Sequence, residues 1–329
     1  MMSQLVAVVV ALFLGLSAHL TADAQPPKTP PTIGCILPGP LAPRMYQWDA
    51  FRQGLRELGY VEGQNIRLEF RAPEREGDPS DGLAAELVRL KVDVLVAATD
   101  PVVQAAHRAT ETIPIVMISG QDPVGRGLVA SLARPGGNIT GLSIATIDLA
   151  PKRLQLLTEI APRVRRVAVL WNPEMGALGA RQFQQLETAV RAQKLELLSL
   201  EVRSAEDVEK AFETATRQRA DGIVNNAGAL GFGLRTRIAQ LAVKARLPSV
   251  AAVRAYAEAG TLVSYGPSDA EGYRRAAIYI DKILKGTKPA DMPIEEPTKF
   301  YLAINLKTAK SLGLPIPRSL LLRADHLIE

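Results

Sequence analysis

Cysteine is almost missing from this chain: Cys35 is the single one in 329 residues. One thiol cannot close an internal disulfide, so no covalent staple holds the fold, and Cys35 in Ile33-Gly34-Cys35-Ile36 reads as a small core residue. Histidine is nearly as scarce; His19, His107 and His326 stand in unrelated segments. That scarcity excludes a histidine-bearing metal centre and a His-based nucleophile triad. No G-x-x-x-x-G-K-[ST] run occurs, which excludes a P-loop nucleotide site. Aromatics are only 5% of residues, and the net charge of +5 comes from Lys and Arg scattered singly or in pairs. A nucleic-acid footprint needs clustered cations, so these read as solvated surface and no nucleic-acid partner is expected.

Long apolar runs are missing as well, except for Leu5 to Leu16 at the start. That run falls short of the roughly 20 residues a membrane-crossing helix needs. Ala22-Asp23-Ala24 ahead of Gln25 has the small-x-small form of a leader cleavage site. The sequence therefore predicts a cleaved signal peptide over 1–24, export, and no stable membrane insertion. A proline-rich lead-in follows over 25–32.

What the chain does have is alternation of strand-like and helix-like segments. Short β-branched runs at Thr32 to Leu37, Asn65 to Arg71, Val92 to Ala97, Ile115 to Ile118 and Ile139 to Ser143 are separated by amphipathic stretches. Helix periodicity shows in Phe51, Leu55 and Leu58, and again in Leu128, Val129 and Leu132. A second series of similar length begins near Ala150, with strands at Val167 to Trp171, Leu195 to Leu200, Asp221 to Val224 and Pro248 to Ala251. Strands alternating with helices imply parallel sheets with right-handed crossovers. The predicted fold class is α/β, two Rossmann-like lobes facing across a cleft. Leu262 to Tyr265, the helix after it, Phe300 to Asn305 and the helix after that cannot make a third core. They are expected to add one strand–helix unit to each lobe. The lobes would then be 33–145 plus 262–293 and 146–261 plus 294–329, with crossings near 143–148, 258–263 and 292–299.

In an open α/β sheet ligands bind beyond the carboxyl ends of the strands. The polar residues there are Thr99, Asp100, Ser119, Gln121 and Asp122 from the first series and Asn172, Asn226 and Arg254 from the second, with Tyr265 at a crossover. Hydroxyls and amides suit a carboxylate, an acid suits an amine, and an aromatic gives a flat wall. Together they suit a small polar organic ligand. Each alone is equally a turn former or cap, Thr99-Asp100 and Asp122-Pro123 most of all. Asn225-Asn226-Ala227-Gly228 looks like a short-chain dehydrogenase segment. The glycine-rich first turn of that group is replaced here by Pro38-Gly39-Pro40, and neither Tyr273 nor Tyr279 has a lysine four residues on. No cofactor is expected. The Asn138-Ile139-Thr140 sequon reads as a turn asparagine.

Longer blocks carry a resemblance. They are Phe51-Arg52-Gln53-Gly54-Leu55, Gly59-Tyr60-Val61-Glu62-Gly63-Gln64-Asn65, Asp122-Pro123-Val124, Pro135-Gly136-Gly137-Asn138-Ile139-Thr140-Gly141, Ser264-Tyr265-Gly266-Pro267-Ser268 and Ile304-Asn305-Leu306-Lys307-Thr308-Ala309. In order, over nearly the whole chain beyond the leader, they resemble the exported substrate-binding proteins of ABC transporters of the tryptophan/tyrosine type. The resemblance implies the type I periplasmic-binding fold with a three-strand hinge. It also implies a periplasmic protein that is not an enzyme and that delivers a small polar organic ligand, such as an amino acid, to separately encoded ABC permease and ATPase subunits. The family's cleft positions would fall on Thr99, Asp100, Ser119, Asp122, Asn172, Asn226 and Tyr265. Asn226 stands where an acid is frequent in the family. The same fold also serves ligand-sensing subunits that signal to a membrane receptor or kinase, and that alternative stays open at this stage.

Overall fold

The apolar runs become buried strands because a parallel sheet covered by helices on both faces has no wet side to alternate toward. In a computed structural model, the structure describes residues 29–75, 78–144 and 149–329. The expected signal peptide (1–24), the start of the lead-in and residues 145–148 of the first expected crossing lie outside the described residues.

The first lobe contains β1 (Thr32–Ile36), α1 (Met45–Glu57), β2 (Arg67–Arg71), α2 (Asp81–Arg89), β3 (Val94–Ala97), α3 (Asp100–Ala109), β4 (Ile115–Gly120) and β5 (Ile139–Ser143). Its strands are all parallel, in the order β2-β1-β3-β4-β5. The second begins with α4 (Ala150–Ile160), β6 (Arg166–Trp171), α5 (Gly176–Ala192), β7 (Glu196–Glu201) and α6 (Ala205–Arg217). It continues through β8 (Gly222–Asn226), α7 (Gly228–Gly233), α8 (Arg235–Lys244), β9 (Ser249–Ala251), α9 (Arg254–Glu258) and β10 (Val263–Gly266). The order β7-β6-β8-β9-β10 repeats the winding of the first sheet. After α10 (Asp269–Leu284), β11 (Tyr301–Asn305) joins antiparallel to β10. Then come α11 (Leu306–Leu312), α12 (Arg318–Arg323) and β12 (His326–Ile328), the last parallel to β11 at the edge.

Two expectations need correction. The strand at 262–265 was expected in the first lobe, but Val263 pairs with Val250 of β9 and with Ile304 of β11, so it belongs to the second sheet. The five-residue helix α9 is long enough only to return the chain beside β9. The crossing therefore falls after Gly266, at Pro267-Ser268, rather than at 258–263. The last return lies beyond Glu295, which still pairs with Leu142 of the first lobe. The second correction concerns Leu128, Val129 and Leu132, whose spacing suggested a helix. Residues 121–138 are turns and bends, held by bonds such as Leu128 N–H to the Pro123 carbonyl at 2.9 Å. Glycines at 125, 127 and 136, two of them with positive φ, break any helix there, yet Val129 still seats in the first core.

Helix α10 follows its strand out of the second sheet and packs on α1 of the first lobe. Ser268 caps it by accepting the Glu271 N–H at 3.2 Å. Trp48 sits between the two helices, edge-on to Phe51, Phe70 and Tyr273 at 5.6, 5.2 and 5.1 Å. Gly54 allows the close approach, because a Cβ there would run into the Arg274 carbonyl. Cys35 is fully buried in this core, and burial pushes its thiol well above the ordinary range. The Asn138 side chain donates to the Thr110 and Ile113 carbonyls at 3.0 and 2.9 Å, a turn role that occupies both amide hydrogens.

Two glycine replacements should act with opposite signs. Gly54→Ala should destabilise the protein by roughly 2–4 kcal/mol, since backbone must move to admit the methyl. Gly82→Ala, in α2 with open space around its Cβ position, should stabilise by about 0.5–1 kcal/mol. Urea unfolding of both variants reads the difference.

Candidate functional site

Both sheets turn the carboxyl ends of their strands toward one cavity of about 810 Å³ between the lobes. Thr99 and Asp100 reach it from the end of β3, Ser119 and Gln121 from the end of β4, Asn172 from the end of β6 and Asn226 from the end of β8. Six of the nine residues singled out in the sequence thus line one space.

Their hydrogen bonds divide them. Asp100 is 3% exposed and accepts the Gln121 N–H at 3.1 and 3.3 Å, with Arg126 Nε at 3.4 Å. Burial raises its carboxyl pKa, and Arg126 opposes the rise only in part. Asp100 therefore fixes the β4 turn. The Ser119 hydroxyl is spent on the Ala98 carbonyl, and Asn172 Oδ1 accepts the Glu174 N–H at 2.9 Å. Thr99 occupies the N-cap position of α3 without a capping bond from its side chain. Asn225 and Asn226 have separate tasks. Asn225 caps the following turn, through Ala227 N–H at 3.3 Å, whereas the Asn226 Nδ2 is buried without a partner.

Three expected residues do not line the cavity. Arg254 is half exposed and pairs along its own helix with Glu258 at 2.6 Å. The Tyr265 ring packs against the second core beside Phe300, 6.2 Å away. Asp122 is held by the Gly125 N–H at 3.0 Å and by an ion pair with Arg181. That ion pair spans the two lobes, as does the neighbouring bond from Gln182 to Gln121. On the opposite rim Arg235 Nη2 donates to the Pro43 carbonyl at 2.9 Å. Arg44 and Arg235 flank the Phe232 ring at 5.3 and 4.5 Å from its centre.

Sequence reasoning missed Gln47, Arg153, Phe232 and Tyr256, all in the cavity wall. Two of them left a signal. Arg153 shares a helical face with Ala150, Leu154 and Leu157, and Gln47 shares one with Phe51 and Leu55; a polar side chain on such a face needs a partner. Phe232 lies among glycines, Gly228-Ala229-Leu230-Gly231-Phe232-Gly233, where no periodicity marks it. Gln47 Oε1, Arg153 Nη2 and Asn226 Nδ2 are buried without a protein partner. Unmet hydrogen-bonding atoms from both lobes, around one cavity with an aromatic wall, are what a small polar guest would satisfy. Among the described residues no His/Cys/Asp/Glu group could hold a metal ion, and no helix is long and apolar enough to cross a membrane.

Known proteins agree with this geometry. The profile of the family described as ABC transporter substrate binding protein matches residues 42–328. A tyrosine-binding protein of Clostridioides difficile (strain R20291) is 26% identical over 266 residues, covering 80% of this chain and 75% of that protein. A conserved domain protein from Vibrio cholerae superposes with TM-score 0.83 and 27% identity, over 91% of this chain and all of that one (100%). An ABC domain in complex with L-Trp from Streptococcus pneumoniae gives TM-score 0.82 and 25% identity, over 91% and 100% of the two chains.

The raised pKa of Asp100 makes a signed prediction. A fold that raises an acid's pKa favours its protonated form, so ionisation costs stability as pH rises from the ordinary value of 3.8 through the raised one. Asp100→Asn removes that cost. The stability of the variant relative to the parent should rise with pH over this window and then level off. Denaturant unfolding between pH 4 and 8 measures it, and a relative stability that falls with pH would mean that Arg126 and the Gln121 N–H outweigh burial.

Proposed function

The chain belongs to the family of ABC transporter substrate-binding proteins, and on that premise we propose that it is the solute receptor of an ABC importer, capturing an amino acid in the cleft between its lobes. The observation that carries this reading is the shared cavity, where Gln47 of the first lobe and Arg153 and Asn226 of the second present buried polar atoms with nothing to bond. The family and its relatives are binding proteins rather than enzymes, so the chemistry is recognition alone. The relatives named for tyrosine and L-Trp favour an aromatic amino acid, and Phe232 and Tyr256, edge to face at 5.7 Å, supply an apolar wall for a flat side chain.

The capture step follows from the three segments joining the lobes. A ligand that bonds to both walls stabilises the arrangement in which the walls are close, at the expense of the one in which they are apart. The pairs Asp122–Arg181 and Gln121–Gln182 close the rim on one side and Arg235 with Pro43 on the other. The closed outline is then what a separately encoded permease and ATPase pair recognises. Residues 1–24 act as the export signal, which makes the periplasm the site of capture.

A thermal-shift screen of amino acids, small carboxylates, nucleosides and sugars tests the reading. A ligand at a hundred times its dissociation constant adds about 2.7 kcal/mol of stability. The expected hits are aromatic amino acids; a screen with sugars or nucleosides as the only hits would sink the proposal. Asn226→Ala should weaken binding of the hit by about tenfold or more with the ligand-free melting temperature nearly unchanged. Arg254→Ala, outside the cavity, should bind like the parent.

A further inference from the structure

Arg153 is a buried charge in the wall of the cavity. It lies on the buried face of α4, 6% exposed, and lines the cavity. Its Nε donates to the Tyr265 carbonyl at 2.8 Å, while its Nη2 is buried with no hydrogen bond. Among the described residues no carboxylate pairs with it, and the groups that face it electrostatically are the phenols of Tyr256 and Tyr265. Three carboxylates of the wall already have partners of their own. Asp100 has Arg126, Glu295 has Arg275, and Asp269 accepts from Tyr46 and from Gln47 at 3.0 Å.

A buried cation without a counter-ion destabilises the protein that carries it, and an anion brought beside it relieves that cost. Burial lowers the Arg153 pKa to about 10, which still leaves the guanidinium charged at neutral pH. The side chain cannot shed its charge to escape the cost. It can only be neutralised from outside.

We propose that Arg153 is the anchor for a carboxylate on the ligand, so that this protein selects monoanionic or zwitterionic carboxylates and rejects their neutral amides. The inference rests on the solute-receptor reading and deepens it. The Tyr265 carbonyl that Arg153 holds is one residue before Gly266, where β10 ends and the chain crosses to the first lobe. A carboxylate that meets Arg153 in the cavity wall therefore bonds to the same guanidinium that grips the crossover. A planar guanidinium in the cavity wall, with its Nε on the backbone, matches a carboxylate oxygen better than it would a neutral acceptor.

The test compares L-tyrosine and L-tryptophan with L-tyrosinamide and L-tryptophanamide by calorimetry, on the parent and on Arg153→Gln. The parent should bind at least one of the acids about 100-fold more tightly than its amide. In the variant that ratio should collapse toward one through loss of the acid's affinity. Equal affinities for acid and amide in the parent would overturn the anchor while leaving the receptor reading intact, as would a variant that keeps the ratio. If neither acid binds the parent, the aromatic amino acid reading fails, and the ligand-free melting temperature decides the anchor separately. A melting temperature for Arg153→Gln equal to or above that of the parent supports a charge held in wait for an anion. A drop of several degrees would mark Arg153 as a structural tie to Tyr265 and overturn the proposal.

Discussion

Everything at the cleft depends on the parallel pairing of the strands. A parallel sheet with right-handed helical crossovers sends all its carboxyl ends to one edge, and the connections leaving that edge can be short and polar. Both sheets here are wound in the same order, so each has such an edge, and the chain sets the two edges against one another. The cavity is the space neither edge can fill for itself. Its polar lining comes from strand ends because those are the positions where side chains are held by a sheet on one side and are free of it on the other.

Within that lining the polar groups fall into two kinds, and hydrogen-bond supply separates them. Asp100, Ser119, Asn172 and Asn225 are engaged by nearby backbone and build the walls. Gln47, Arg153 and Asn226 come from a helix face or a strand end, and each keeps an unbonded atom. Turn-forming residues at strand ends tend to satisfy themselves, so the groups left for a guest come largely from elsewhere.

This division explains what could be read from the chain and what could not. Strands and most helices were legible because apolar periodicity reports burial directly, and the repeated winding follows from their alternation. The strand-end rule found Asn226 and Thr99, but it had no way to tell a residue that faces the cavity from one that bonds its own turn. Tyr265 shows a different limit: the strand was recognised, yet which face its ring takes and which sheet it joins depend on partners far away in sequence. Arg153 stands on an apolar helix face, between Ala150 and Leu154, where a rule that looks only at strand ends does not reach.

Helix α10 carries a consequence for how the protein comes into being. It arrives in sequence after the whole second sheet up to β10, yet it supplies the surface against which Trp48, Phe51 and Leu55 of the first lobe are buried. A ribosome that has finished β5 has made every strand of the first sheet and not the helix that completes its core. The usual order, in which the amino-terminal unit folds while the next is still being synthesised, is closed to this chain. Neither lobe is a contiguous stretch that could mature alone, so folding to completion waits for residues beyond Leu284, and the nascent protein stays without its finished first core until most of it has been made.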